Sequence, residues 1–369
     1  MKNKQKKLVF ENGTEYFGCG FGADTSGVCE VVLNTSMVGY QEILSDPSYS
    51  GQFVCMTYPL IGNYGLADED YESKVPRVGG FIVREYNDAP SNYRYTQTLS
   101  DVLADNGIPG IHGVDTREIT RMIQARGGKR AAIVDAAAPK QQALDLIANT
   151  PLPRDQVRGV SCKRPWYSRT ANYQYNVVAL DCGIKHSVIK QLNARKCNVT
   201  VAPYDTTAEQ IMMLSPDGLL ISSGPGNPEE AAPVIELVAR LCGRLPIFGI
   251  GLGCQIIALA NGARVQKAAF GYGGGNIPVR ELSTGKIDIT AQGRTYIIDG
   301  SSIQEQALEI THINLLDGTV AGLGNREKRI FAVQLCPEGA PGPQDGARLF
   351  DQFIADMDAF MTERRQQHA

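Results

Sequence analysis

From Asn176 onward the chain alternates short apolar runs with amphipathic ones, and this alternation restricts its possible folds more than any other feature. Val177-Val-Ala-Leu180, Val199-Thr-Val-Ala202, Gly218-Leu-Leu-Ile221 and the run from Leu245 to Ile250 read as strands. His186 to Arg195 reads as a helix with Val188, Ile189 and Leu192 apolar, and a second helix is predicted near Thr207 to Leu214. A third is predicted from Asn227 to Leu241, with Asn227 as N-cap, Pro228 at the first helical position and Glu229 and Glu230 in the first turn. Strands alternating with helices predict an α/β, doubly wound, mostly parallel sheet with helices on both faces. Ligands of such sheets bind at the carboxyl ends of the strands.

Two glycine turns follow predicted strands and fall at that edge: Ser223-Gly-Pro-Gly-Asn227 and Gly249-Ile-Gly-Leu-Gly253. The second leads into a helix that ends at Asn261-Gly262, where glycine accepts the left-handed conformation. A sharp strand-to-helix turn is where α/β enzymes mount a nucleophile. The tip of this one, Gly251, has no side chain. Glycine turns before helices also cradle phosphates, but the chain has no Gly-x-x-x-x-Gly-Lys-Ser/Thr, and Gly249-x-Gly251-x-Gly253 lacks the dinucleotide spacing. Tight strand-to-helix packing and a pair of backbone donors forming an oxyanion hole are the remaining readings.

The first half, residues 8 to about 150, is rich in glycine and turns. A hairpin is predicted over Leu8 to Phe17 around Asn12-Gly13, with further strands at Val28 to Leu33 and Gln52 to Tyr58. Asp115 to Arg126 reads as a helix capped by Asp115, with Ile119, Met122 and Ile123 on one face. These features predict a small α+β domain without obvious chemistry of its own. The division expected is an N-terminal domain over 1–150, a proline-containing linker over 151–174 and the α/β domain over 175–369; 369 residues suffice for two cores.

Charge and composition exclude several classes. With 36 basic and 39 acidic residues the net charge is −3, so nothing favours nucleic acid or an anionic membrane. The lysines at the start (Lys2, Lys4, Lys6, Lys7) precede no signal-peptide core, and no apolar run reaches the ~18 residues of a membrane span. The nine cysteines form no Cys-x-x-Cys pair, which predicts reduced thiols in a cytoplasmic protein with neither metal nor disulfides. Only four histidines occur, His112, His186, His312 and His368, which limits the general bases available.

The chain also carries Asn34-Thr-Ser-Met-Val-Gly-Tyr-Gln-Glu-Ile-Leu-Ser-Asp-Pro-Ser-Tyr49, Thr57-Tyr-Pro-Leu-Ile-Gly-Asn63, Gly113-Val-Asp-Thr-Arg117, Ser223-Gly-Pro-Gly-Asn-Pro228 and Pro337-Glu-Gly-Ala-Pro-Gly-Pro-Gln-Asp345. In order and spacing, from about residue 8 to 360, it resembles the small, glutamine-amidotransferase subunit of carbamoyl phosphate synthase. The resemblance implies a cysteine nucleophile at the turn, activated by a histidine paired with a glutamate. It implies ammonia passed to a large subunit that uses ATP and bicarbonate, in pyrimidine or arginine biosynthesis, and no cofactor in this chain. It further implies substrate contacts at Ser48, Gln255, Thr295 and Tyr296, and backbone donors at Gly224, Gly226 and Leu252.

The resemblance breaks where the chemistry should be. The family's Gly-Ile-Cys-Leu-Gly-His-Gln appears as Gly249-Ile-Gly-Leu-Gly-Cys-Gln255, so the nucleophile position is Gly251. The family's His-Pro-Glu appears as Cys336-Pro337-Glu338: the base is missing and the orienting glutamate remains. Gln-Asn-His-Gly-Phe appears as Gln292-Gly-Arg-Thr-Tyr296, and Phe-Gly-His-His-Gly-Gly-Asn-His-Pro as Phe270-Gly-Tyr-Gly-Gly-Gly-Asn-Ile-Pro278. These changes put L-glutamine binding in doubt. Three expectations follow: a glutaminase-inactive structural or regulatory subunit, an active glutaminase with an unorthodox site using Cys254 or Cys336, or a stand-alone small-molecule binding protein.

Overall fold

The computed structural model describes residues 4–367. The chain forms two units: one takes it to Pro153 together with Ala268–Gly274, the other comprises Arg154–Lys267 and the chain from Gly275 on. The leading Lys2 and the terminal His368 lie outside the described residues.

In the first unit the Asn12-Gly13 turn closes a hairpin between Gln5–Phe10 and Glu15–Gly22. Gly13 takes φ +81°, a backbone that glycine adopts without steric cost, and the Asn12 side chain accepts a hydrogen bond from the Thr14 N–H at 3.0 Å. Pairing then runs from Glu15–Gly22 to Pro109–His112, Gly80–Ile82, Gln52–Met56, Gly27–Asn34 and Arg130–Asp135, which returns to Gln5–Phe10. This closed circuit leaves none of these strands with an open edge. Alternation along them supplies both faces with core: Val31, Leu33 and Phe53 pack with Ile119 and Ile123, whereas Val32, Val54 and Met56 pack with Ile43, Leu44 and Leu99. Asp115 caps the helix Thr116–Arg126, its carboxylate accepting from the Glu118 N–H at 2.9 Å.

In the second unit parallel strands run in the order Cys197–Pro203, Tyr175–Asp181, Gly218–Ile221, Ile247–Ile250 and Ile330–Val333. Antiparallel neighbours extend the sheet at both sides: Trp166–Ser168 beside Cys197–Pro203, and Val320–Asn325, then Glu309–Asn314, beyond Ile330–Val333. Val177, Ala179, Phe248 and Ile250 face one apolar cluster, shared with the helices His186–Ala194 and Arg348–Gln367. Val178, Leu180, Ile221 and Ile247 face the other, shared with Ala208–Met213, Ala232–Leu241 and Leu252–Ala260. Burial on both faces explains why these strands read as continuous apolar runs. The fold is α/β, as the alternation predicts.

Two expectations need correction. The stretch expected as a linker, residues 151–174, holds a short helix, Gln156–Val160, and the strand Trp166–Ser168, whose Trp166 stands opposite Val201. A three-residue edge strand is too short to show a period. The helix expected to begin at Pro228 does not: Asn227 caps only the 3-10 turn Pro228–Glu230, and the α-helix begins at Ala232. Pro233, the residue after that start, biases its predecessor away from continuous helix and cannot donate a backbone hydrogen bond to the turn before it.

Candidate active site

Four segments leave the carboxyl ends of adjacent parallel strands: Cys182–Lys185, Ser222–Asn227, the Gly251 turn and the chain after Val333. Gly251 has φ +57° and ψ −111° and directly precedes the helix Leu252–Ala260. Its N–H donates to the Val333 carbonyl at 2.8 Å, and its own carbonyl accepts from the Cys254 N–H at 3.0 Å. The Gln334 side-chain amide donates to the same carbonyl at 3.2 Å. A Cβ at Gly251 would lie 3.1 Å from the Ser223 Cβ, on a backbone that L residues rarely adopt. Gly224 is required for closeness rather than for φ, since a Cβ there would lie 2.0 Å from the Cys182 carbonyl oxygen. Among the described residues neither the Gly224 nor the Leu252 N–H meets an acceptor. For Leu252 this is the ordinary condition of the first turn of a helix. Gly226 has φ +89° beside the Gln156 side chain.

The chain after Val333 carries Cys336 and Glu338. The Cys336 N–H donates to the Ala291 carbonyl at 2.8 Å, and Cys336 is half-buried. The Glu338 side chain is fully buried and forms an ion pair with Lys185, whose side chain is only 1% exposed. The Lys185 ammonium also donates to the Ala340 carbonyl at 2.9 Å. A buried carboxylate needs a partner to be held charged, and here the partner is a lysine. Lys185 was not singled out by sequence reasoning. The available signal was its place just past the end of the Tyr175–Asp181 strand, at the reactive edge.

Cys254 has no exposed surface and packs in the apolar cluster with Ile256 and Ile257; burial pushes its thiol far above the ordinary range. The Gln255 amide donates to the Tyr296 carbonyl at 3.0 Å and to the Gln334 side-chain oxygen at 3.1 Å. Both its N–H bonds are thereby directed at neighbours within the fold. Thr295 and Tyr296 are half-buried on the strand Ile287–Ile298, where Arg294 is buried and paired with Asp317 at 2.8 Å. Ser48 belongs to the first unit, in the 3-10 turn Pro47–Tyr49, with its N–H on the Asp46 carboxylate at 2.8 Å. His112 lies in the first unit, His186 opens a helix, and His312 is buried on the strand Glu309–Asn314; position 336 itself is a cysteine. No group of side chains suited to a metal ion occurs among the described residues, and none of their helices is long and apolar enough to cross a membrane.

A parallel sheet that brings a glycine-pinched strand-to-helix turn and a Pro-Glu segment to one carboxyl edge has the build of a class I glutamine amidotransferase domain. Residues 178–355 match the family described as glutamine amidotransferase class-I, and residues 8–133 match the carbamoyl-phosphate synthase small chain, CPSase domain. The chain is 47% identical over 366 residues to the carbamoyl phosphate synthase small chain of Staphylococcus epidermidis, covering 99% of this chain and 100% of that one. It is 45% identical over 350 residues to the pyrimidine-specific small chain of Bacillus subtilis, covering 95% of each. It therefore belongs to the carbamoyl phosphate synthase small-chain family.

Proposed function

We propose that this small chain does not hydrolyse glutamine. It serves the large synthetase subunit as a structural or regulatory partner in the cytoplasm, and that subunit takes free ammonia and uses ATP and bicarbonate. The observation that carries the reading is Gly251: the turn that should present a thiolate has no side chain. Supporting it, Cys336 stands at the base position, and a thiol does a histidine's work near neutral pH only with a strongly shifted pKa. Cys254 is sealed in the core, which argues against its serving as a replacement nucleophile. A backbone-donor pair alone contributes about 10³–10⁴ over water, too little for a working glutaminase.

The half-buried Cys336 favours one rival, a rebuilt site using that thiol. Purified protein is given glutamine, alone and with the large subunit, and glutamate and ammonia are measured. The expected result is no glutamate release with either, and carbamoyl phosphate formed from ammonium by the complex. Glutamate release at rates ordinary for an amidotransferase refutes the proposal, and its loss in Cys336→Ser would assign it to the rebuilt site. A chain that never associates with a large subunit would instead support a stand-alone binding protein.

A further inference from the structure

One strand serves both units. Val265–Glu281 is 17 residues long. Its last residues pair antiparallel with Glu309–Asn314 in the second unit, Val279 opposite Asn314 and Glu281 opposite His312. Its earlier part, Ala268–Gly274, belongs to the first unit, where Tyr272 and Gly273 pair in parallel with Leu33 and Asn34. The chain up to Lys267 and again from Gly275 is second unit. A piece of the second unit's chain is therefore built into the first.

The first unit has a seat for this piece. Arg130–Asp135 pairs with Gly27–Asn34 only over Gly27 to Glu30, and Gln52–Met56 takes the opposite side of that strand from Glu30 to Asn34. The donated segment fills the stretch of edge that remains, at Leu33 and Asn34. At one end the Gly128 N–H donates to the Ala269 carbonyl at 2.7 Å. At the other the Gly273 carbonyl accepts from the Thr35 N–H at 2.9 Å and from the Thr35 hydroxyl at 3.2 Å. A Cβ on Gly127 would lie 3.0 Å from the Ala269 carbonyl oxygen, so glycine past the end of the helix Thr116–Arg126 lets the strand approach. Phe270 and Tyr272, two apart and so on one side of the strand, pack on the cluster that holds Leu33, Phe53, Ile119 and Ile123. Backbone bonds at both ends with side-chain anchors between them are the components of strand addition.

We propose that this shared strand is a clamp: the second unit donates Ala268–Gly274 to the first, and the donated segment holds the two units together whether or not the connector is intact. The connector, residues 151–154, is exposed and lies in neither helix nor strand, so it restrains the units by covalent continuity. Release of the clamp requires the end bonds to break and both aromatic side chains to leave the apolar cluster together. The proposal is independent of whether the chain hydrolyses glutamine.

The test uses the full-length chain with a site-specific protease recognition sequence inserted between Leu152 and Pro153. The folded chain is cut, and a dilution series on a native size-exclusion column gives the dissociation constant of the two fragments. Wild type is compared with Phe270→Ser/Tyr272→Ser and with the control Met213→Ser, whose side chain is 83% exposed in the second unit. The expected result is that cut wild type and cut Met213→Ser elute with both fragments together, and that the paired serines weaken the association ~10-fold or more. Circular dichroism melting of the uncut chains checks the fold, and Tyr272→Ala alone decides if the paired variant melts early. Cut wild type that separates at once overturns the clamp. A cut clamp variant as tightly associated as wild type overturns it too, because the units are then held by something else.

Discussion

The Gly251 turn and the Cys336–Glu338 segment lie at the same edge of one sheet, and on the proposed reading both lack a side chain that glutamine hydrolysis would need. They keep their shape by different means. The turn is held mainly by backbone: the Val333 carbonyl accepts from Gly251, and the first turn of the Leu252–Ala260 helix donates back to its carbonyl, joined by the Gln334 amide. None of these bonds involves a nucleophile, so removing the thiol costs the scaffold nothing, and glycine suits φ +57° better than cysteine. The other segment adds a buried side-chain ion pair to its backbone bond from Cys336 to the Ala291 carbonyl. Glu338, which on the proposed reading has no histidine to orient, is bound to Lys185 in the interior, an interaction that does not depend on catalysis.

Breaking that interaction is expected to give the largest effect. Lys185→Met leaves a buried carboxylate without its counter-charge, and loss of one partner of a buried pair costs about 3–5 kcal/mol. The double variant Lys185→Met/Glu338→Leu replaces the pair with apolar groups and is expected to recover most of the loss. Urea unfolding followed by tryptophan fluorescence reads this unit, because the chain's one tryptophan, Trp166, lies in it. A double variant as unstable as the single one would mean that Glu338 persists for some reason other than the pair.

The same contrast explains what was legible in the sequence. The strands ending at Asp181, Ile221 and Ile250 were legible because burial on both faces makes them apolar throughout, and the Gly251 turn because glycine spacing marks it. The strand Ile330–Val333, which supplies the acceptor for Gly251, was missed because it follows its antiparallel partner Val320–Asn325 directly, with no helical run between them to mark the α/β alternation. The closed pairing of the first unit was equally hidden. Gly80–Ile82 has three residues, and its partners Gln52–Met56 and Pro109–His112 are remote in the chain, so only tertiary packing sets their register. Lys185 escaped notice because an exposed lysine and a buried, paired one are written with the same letter; only Glu338, far along the chain, decides between them. The two amide contacts of Gln255 depend in the same way on a carbonyl and a side chain remote in the chain, those of Tyr296 and Gln334.

At the turn itself, Gly251→Cys is expected to lower stability by about 1–3 kcal/mol, the usual cost of holding an L residue in a sparsely populated conformation. The 3.1 Å approach to the Ser223 Cβ requires that side chain to give way slightly as well. An unchanged midpoint would still fit a turn whose backbone dictates its own geometry. A clear rise in melting temperature would show that the glycine was not relieving strain. Glutamate release should stay at background in this variant, since position 336 still lacks a base.

The smallest effect separates a buried group with a charge partner from one without. His312 is 4% exposed; its Nδ1 lies 2.9 Å from the Thr311 hydroxyl, and its Nε2 has no partner among the described residues. Burial is the main reason its pKa falls below 6.5. Arg348 acts in the same direction, while Glu281 and Asp288 pull the other way. A base with a depressed folded pKa binds fewer protons when native than when unfolded, so its protonation favours the unfolded chain. Stability is therefore full above about pH 6.5 and declines as pH falls from there through the lowered folded value, by at most ~1.4 kcal/mol per pH unit. Replacing the imidazole with a group that does not titrate, as in His312→Gln, should flatten the melting temperature between pH 7 and pH 5 relative to wild type. Parallel pH profiles would place the acid sensitivity elsewhere, and the unpaired Nε2 would then carry no measurable linkage.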